Sequence, residues 1–262
     1  MRVTILGCGG SAGVPMIGGP DGHGDWGACD PAEPRNRRSR AGLVLEGKGG
    51  QRLLVDTPPE LRVQLLACGI GRVDAILFTH AHADHITGMD DLRILNRIVD
   101  RPLDAYATQA TLDDLAQRFD YAFRRWKPPG FYRPVLVPQP VAPGQVLDVA
   151  GMQVRLFRQD HQVMETLGLR VGGFAYSTDV IRFDAAAWAA LEGVDTWLVG
   201  CFQRAPHSTH ANVDLVLSWV ERLRPRRTIL THMGVDLDWA WLARTLPPGV
   251  EAAHDGMLLD ID

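Results

Sequence analysis

Three histidines and an aspartate crowd into six positions of the run Thr79-His80-Ala81-His82-Ala83-Asp84-His85. Neutral imidazole and carboxylate together suit zinc, manganese or iron. Four such groups exceed what one ion needs from one stretch of chain. Successive residues on an extended or turning backbone point in different directions. His80 and His82 can therefore serve one ion while Asp84 and His85 turn toward a second. A lone histidine usually carries no chemistry. Three of the chain's nine histidines in register with a carboxylate are a different matter.

Ligands are gathered by folding, so the rest of the set should lie at the ends of other strands. The cluster itself follows the apolar run Ala75-Ile76-Leu77-Phe78, which reads as a buried strand. Asp160-His161 comes after the alternating segment Met152-Gln153-Val154-Arg155-Leu156-Phe157, Asp179 after Phe174-Ala175-Tyr176-Ser177-Thr178, and His232 after Arg227-Thr228-Ile229-Leu230-Thr231. Taken singly, each could be a turn or capping residue. Strand-like runs cover residues 3–6, 41–46, 52–55, 75–78, 104–107, 135–137, 153–157, 169–171, 174–177, 196–199, 228–230 and 257–261. Helix-like runs cover 59–67, 90–98, 110–119, 185–191, 213–223 and 237–246. In the run 213–223, Asn212 stands as N-cap, and Val213, Val216, Leu217, Val220 and Leu223 follow helical spacing as core positions. No repeat or linker splits the chain, so residues 1–262 are expected to form a single domain. Alternating strands and helices give an α/β class, and two mixed sheets with helices on both outer faces fit an αββα sandwich, though physics alone allows another α/β arrangement.

On these motifs the chain resembles the metallo-β-lactamase superfamily, from Val3 to Asp255. The resemblance implies one metal held by His80, His82 and His161, another held by Asp84, His85 and His232, and Asp179 bridging the two. His82 stands where the di-iron redox branch carries a carboxylate, which implies hydrolysis. Gly7-Cys8-Gly9-Gly10-Ser11-Ala12-Gly13-Val14-Pro15, Thr231-His232 and Asp255-Gly256-Met257 are similar to the phosphodiesterase branch. Within it the chain is most similar to the phosphoribosyl cyclic phosphodiesterases of the carbon–phosphorus lyase pathway. tRNase Z and PqqB-like proteins are more distant. Those cyclic phosphodiesterases carry a structural zinc on a cysteine cluster in the early loop. Here that loop has only Cys29, with His23 nearby, so the structural zinc is not expected. The resemblance places His210 as general acid, with Asp84 also counted as catalytic. Asp56 is similar to the superfamily's strand-end aspartate and is expected to orient a ligand histidine. His207 competes with His210 only by residue type. His254 could face the cleft or the surface, and His23 reads as loop surface.

Two irregular regions could hold substrate. Residues 7–40 form a Gly- and Pro-rich loop with several arginines, Arg40 among them. Backbone N–H groups of Gly9, Gly10 and Ser11 could form an anion nest there. The plain alternative is a tight turn with solvated arginines. Residues 121–134 interleave aromatic and cationic side chains, including Arg124, Trp126 and Tyr132. Such a segment could stack a base or sugar as a short lid, or pack as a stiff surface loop. It is too short for a tRNA-gripping arm.

The net charge of −4 and pI near 6.1 do not attract a long polyanion. Hydrophobic content of 46% supports a large core. Cys8, Cys29, Cys68 and Cys201 lack paired spacing and read as reduced thiols, hence a cytoplasmic protein. The start shows no signal peptide, and no run is long enough to span a membrane. A homodimer is allowed and not specified. The expected activity is hydrolysis of a small cyclic or nucleotide-like phosphodiester. Two divalent ions, zinc or manganese, activate water between them, and His210 protonates the departing alkoxide. The rivals are a thioesterase or lactonase acting at a carbonyl, a PqqB-like protein of cofactor biosynthesis, and a nuclease for structured RNA.

Overall fold

The computed structural model describes residues 1–124 and 134–262. In chain order the first half runs β1 (Arg2–Gly7), β2 (Gly42–Glu46), β3 (Arg52–Val55), α1 (Leu61–Ala67), β4 (Ala75–Leu77), α2 (Ala83–Ile86), α3 (Leu92–Val99), β5 (Leu103–Ala107), α4 (Gln109–Arg118), α5 (Asp120–Phe123) and β6 (Leu136–Pro140). The second half runs β7 (Val146–Val149), β8 (Met152–Asp160), β9 (Glu165–Val171), β10 (Phe174–Ser177), α6 (Ala185–Leu191), β11 (Thr196–Gly200), α7 (Val213–Leu223), β12 (Arg227–Thr231), α8 (Trp239–Thr245), β13 (Val250–Ala252) and β14 (Leu258–Asp260). One sheet has the order β14-β1-β2-β3-β4-β5-β6, the other β13-β12-β11-β10-β9-β8-β7. Both are mixed. Antiparallel pairing from β1 to β3 gives way to parallel pairing from β3 to β6. The same change occurs at β10, antiparallel to β9 and parallel to β11. This is the metallo-β-lactamase fold, an αββα sandwich.

Alternation along the strands decides what each face meets, because successive side chains point to opposite sides. Ile5, Leu43, Leu53, Val55 and Leu77 join Val154, Leu156, Leu169, Tyr176 and Leu198 of the second sheet in the central core. Their neighbours Leu6, Val44, Leu54, Ile76 and Phe78 face outward onto Leu61 and Leu65 of α1, Leu92 and Leu95 of α3, and Leu112 and Leu115 of α4. Strands covered on both faces read as continuous apolar runs; all five residues of β11 are buried. Among the described residues, no helix is long and apolar enough to cross a membrane.

The expected elements recur with shifted ends. The run 90–98 becomes a 3₁₀ turn over Thr87–Asp91 followed by α3. Sequence periodicity does not reveal β7 and β13, a partly exposed four-residue strand and a three-residue strand, or the single turns α2 and α5. Helix α7 has the expected bounds, but Asn212 makes no side-chain capping bond; its Nδ2 donates to the Arg204 carbonyl at 3.0 Å. Of the five apolar positions, Val213 and Val216 are buried, while Leu217, Val220 and Leu223 are partly buried against the core.

Candidate metal centre

The cluster forms where parallel strands end. Beyond β4 the chain bends at Thr79 and reaches His82, the extended N-cap of α2, with φ −67° and ψ 149°. One helical turn then carries Asp84 and His85. This switch from extended to helical backbone re-aims the second pair of side chains. His161 follows β8, Asp179 lies two residues beyond β10, His232 follows β12 and Asp56 follows β3. Asp56, Asp179 and His232 take left-handed backbone angles, with φ of 63°, 48° and 56°. Non-glycine residues adopt this region at a cost of about 1–3 kcal/mol, and Asp and His tolerate it better than most.

Asp179 is the centre of the arrangement. Its Oδ2 lies 3.5 Å from His80 Nε2, 3.5 Å from His161 Nε2 and 4.0 Å from His82 Nδ1. Its Oδ1 lies 3.3 Å from His85 Nε2 and 3.2 Å from His232 Nε2. Asp84 Oδ2 completes the second side, 3.3 Å from His85 Nε2 and 3.4 Å from His232 Nε2. Two ligand groups result, His80–His82–His161–Asp179 and Asp84–His85–His232, each compact enough to hold a metal ion. A third grouping, Asp179–His210–His232, is equally compact. It places His210 beside the ligands.

Hydrogen bonds set which imidazole nitrogen is free. His85 Nδ1 donates to Asp56 Oδ2 at 2.7 Å. The Thr79 hydroxyl also donates to Asp56 Oδ2, at 2.8 Å, and so accepts from His80 Nδ1 at 2.9 Å. The Thr79 N–H donates to Asp56 Oδ1 at 2.7 Å. His161 Nδ1 donates to the Thr209 carbonyl at 2.8 Å. In its neutral form each of these histidines therefore presents Nε2 inward with a lone pair. Nε2 of His80 and of His85 is buried without a hydrogen-bond partner. Buried polar atoms are nearly always paired, and a cation would satisfy both. The residues fit a metal ion. Asp56 thus contacts His85 directly and His80 through Thr79. Thr79 and Thr209 were not singled out in the sequence, because a threonine before a histidine and a loop carbonyl carry no signal of their own.

The electrostatics agree. Burial opposes charge on His85, yet the carboxylates of Asp179, Asp84 and Asp56 outweigh it and hold the imidazole well above its usual range. Burial likewise opposes ionisation of Asp179 and Asp84, but surrounding histidines hold both far below the carboxylate range. The pocket is a strong field for positive charge. His80 is pushed down to about 4 by burial and then by His85. His210 is pushed down to about 3 by burial and then by His232, so its resting ring is neutral near pH 7.

The "Beta-lactamase superfamily domain" family matches residues 51–233, which include every member of both ligand groups. The chain belongs to this family. A crystal structure of a diphosphatase from the PhnP family superposes with a TM-score of 0.89 at 32% identity, covering 100% of this chain and 98% of that one. An octanoyltransferase of Porphyromonas gingivalis is 31% identical over 231 residues, 88% of this chain and 45% of that protein. A ribonuclease Z of Bradyrhizobium sp. is 32% identical over 140 residues, 52% of this chain and 44% of that protein. The chain thus spans less than half the length of these two curated relatives.

The remaining residues of this metallo-β-lactamase site divide clearly. His210 is close, its Nδ1 3.9 Å from Asp179 Oδ2 and its ring 4.6 Å from that of His161. His207 Nδ1 accepts the backbone N–H groups of Thr209 and His210, both at 3.3 Å, so it shapes the loop beneath His210. His254 points elsewhere, to the Asp255 carbonyl and Trp239. The anion nest is corrected. The Gly9 N–H is bound to the Ser39 carbonyl at 2.7 Å and the Gly10 N–H to the Met233 carbonyl at 3.0 Å. Neither is available, and Ser11 is exposed. These glycines serve close packing: a Cβ on Gly9 would come within 2.8 Å of the Arg38 carbonyl oxygen. Arg40 pairs with Glu60 at 3.0 Å and lines a separate cavity of about 460 Å³ that none of the ligand candidates lines. Arg124 is exposed and paired with Asp120. Trp126 and Tyr132 lie outside the described residues. Cys29 is buried next to the Arg38 guanidinium, and burial raises its thiol pKa. A larger cavity of about 800 Å³ lies between β8 and α6, remote from the histidines.

Proposed function

We propose that residues 1–262 act as one dinuclear metal-dependent hydrolase, cleaving a small cyclic or nucleotide-like phosphodiester. The observation that carries this reading is the division of the Asp179 oxygens, Oδ2 toward three histidines and Oδ1 toward two others. His80, His82 and His161 would hold one divalent ion, Asp84, His85 and His232 the other, with Asp179 shared. When bound, two such ions neutralise phosphoryl oxygens and make water acidic enough to supply a nucleophile near neutral pH. Zinc or manganese suits the mixed imidazole and carboxylate set. Asp56 and Thr79 keep His85 and His80 in the ligating tautomer. His210, its side chain 14% exposed beside the ligands, would protonate a departing alkoxide.

The names diphosphatase and ribonuclease Z both denote cleavage at phosphorus, which supports the substrate class. The net charge of −4 favours a small substrate over a long nucleic acid. The four free cysteines fit a reducing, cytoplasmic setting. The octanoyltransferase name favours a second reading, hydrolysis at an acyl carbonyl, although more than half of that protein lies outside the match.

The test is a parallel assay of zinc- and manganese-loaded protein on bis(p-nitrophenyl) phosphate, alkyl diesters, a diphosphate and an acyl thioester. Turnover of diesters is expected. Turnover confined to the thioester would replace this reading with the second. His210→Ala should keep both ions and slow alkoxide-leaving diesters roughly 10²–10⁴-fold, with a smaller loss for p-nitrophenolate. If the variant loses an ion instead, the Asp179–His210–His232 group is a metal site and His210 is not the acid.

A further inference from the structure

We infer that Arg118, on a helix that supplies no ligand, is a positioning residue for the ion held by His80, His82 and His161. The inference rests on the dinuclear reading above. His80, Ala81 and His82 lie outside strand and helix, so no ladder of backbone bonds fixes them. The stretch is tied at both ends. The Thr79 carbonyl accepts the Leu167 N–H of β9 at 3.0 Å, and the His82 carbonyl accepts the His85 N–H at 3.0 Å. Between these ties the Ala81 carbonyl accepts from Arg118 Nη1 at 2.6 Å, across 37 positions of the chain. A bond from a charged donor is shorter and stronger than one between neutral groups.

The sequence of α4 explains why an arginine arrives there. Thr108 follows β5 directly and caps α4, its hydroxyl accepting the Thr111 N–H at 3.2 Å. Thr111, Leu112 and Leu115 are buried. Leu112 and Leu115 share an apolar cluster with Phe78 and Ala81. Arg118 comes three residues after Leu115, hence on the same side of the helix. It stands in the last turn, where a cation suits the helix dipole. The ligand loop therefore meets α4 twice, through the buried Ala81 side chain and through the Ala81 carbonyl. The neighbours of Ala81 are both ligands of one ion: His80 Nε2 and His82 Nδ1 lie 3.5 Å and 4.0 Å from Asp179 Oδ2. Turning the Ala81 peptide would move both. Asp84 and His85 are held separately, by the turn α2 and by Asp56. Charge acts with the opposite sign. A guanidinium near two cations repels them, so loss of its charge alone leaves metal affinity unchanged or raises it. Loss of a positioning bond lowers it.

The full chain is titrated with zinc against a chromophoric chelator, and with cobalt(II) followed by its visible absorption. His82→Ala identifies which ion belongs to His80, His82 and His161. Arg118→Met keeps the apolar stem and removes the donor; Arg118→Ala removes both and serves if the first variant fails to fold. In either, that ion should weaken about tenfold, the lower end of the range for partners outside a ligand set, and its cobalt absorption should change. The ion of Asp84, His85 and His232 and the thermal midpoint should stay near wild type. Arg118→Lys, which keeps a charged donor, should recover part of the affinity. Unchanged or tighter binding of both ions in the methionine and alanine variants overturns the inference and leaves the dinuclear reading standing. Equal weakening of both ions with a lower thermal midpoint also overturns it, because Arg118 then only supports the fold. A wild-type chain that takes up no ion dependent on His82 removes the dinuclear reading and the inference together.

Discussion

Replacing Asp56 with Asn tests whether hydrogen bonds outside the ligand set hold the metal centre. Asp56 has no exposed surface. Three donors converge on it: His85 Nδ1 at 2.7 Å, the Thr79 hydroxyl at 2.8 Å and the Thr79 N–H at 2.7 Å. Asn keeps the shape and turns one acceptor into a donor. If the amide NH₂ takes the place of Oδ2, it faces the His85 and Thr79 donors. If it takes the place of Oδ1, it faces a backbone N–H that cannot turn away. His85 can relieve the first conflict only by moving its proton to Nε2, the nitrogen aimed at Asp84 and Asp179. Losing an orienting partner of this kind weakens metal affinity about 10–100-fold, equivalent to about 1.4–2.8 kcal/mol. A buried unpaired donor removes a further ~1–3 kcal/mol of folding stability. The assay is competition against a chromophoric chelator, ion by ion, beside a thermal melt. The ion assigned to Asp84, His85 and His232 should weaken first, with the melt still cooperative. Wild-type affinity for both ions in Asp56→Asn would refute the reasoning.

Asp179→Ala should lower the content of both ions together, measured by metal analysis of protein purified without chelator; loss of one ion alone would show that the carboxylate is not shared. Cys29→Ser should leave metal content and folding unchanged, because its thiol sits beside a guanidinium; loss of a metal equivalent would reveal a thiolate site in the early loop.

Much of the site was legible in the chain itself. His80, His82, Asp84 and His85 are contiguous, so local geometry alone divides them between two directions. His161, Asp179 and His232 could be marked because strand ends are readable from alternating and apolar runs. The α/β class followed from the same runs, since each apolar face needs a covering layer; the runs alone fit two sheets but allowed another α/β arrangement. Helix α7 was read to the residue because its apolar spacing and polar flanks agree. The four-residue β7 and the single turns α2 and α5 were not legible, since a few residues hold too little periodicity to register.

Tertiary structure decided everything that depends on which polar group meets which. Gly9 and Gly10 have the composition of an anion nest, but the carbonyls of Ser39 and Met233 take up their N–H groups. Arg40 is charged and near in sequence, but Glu60 claims it. The neutrality of His210 comes from burial beside His232, which lies 22 residues further along the chain. The two directions of the Asp179 carboxylate, and the Thr79 and Thr209 bonds that set the tautomers, exist only once β3, β4, β8, β10 and β12 end side by side. Residue types determine which ligands and proton donors are on offer. Packing determines which lone pairs and N–H groups are left over, because a buried group can bind an ion or a substrate only with what its neighbours have not already used.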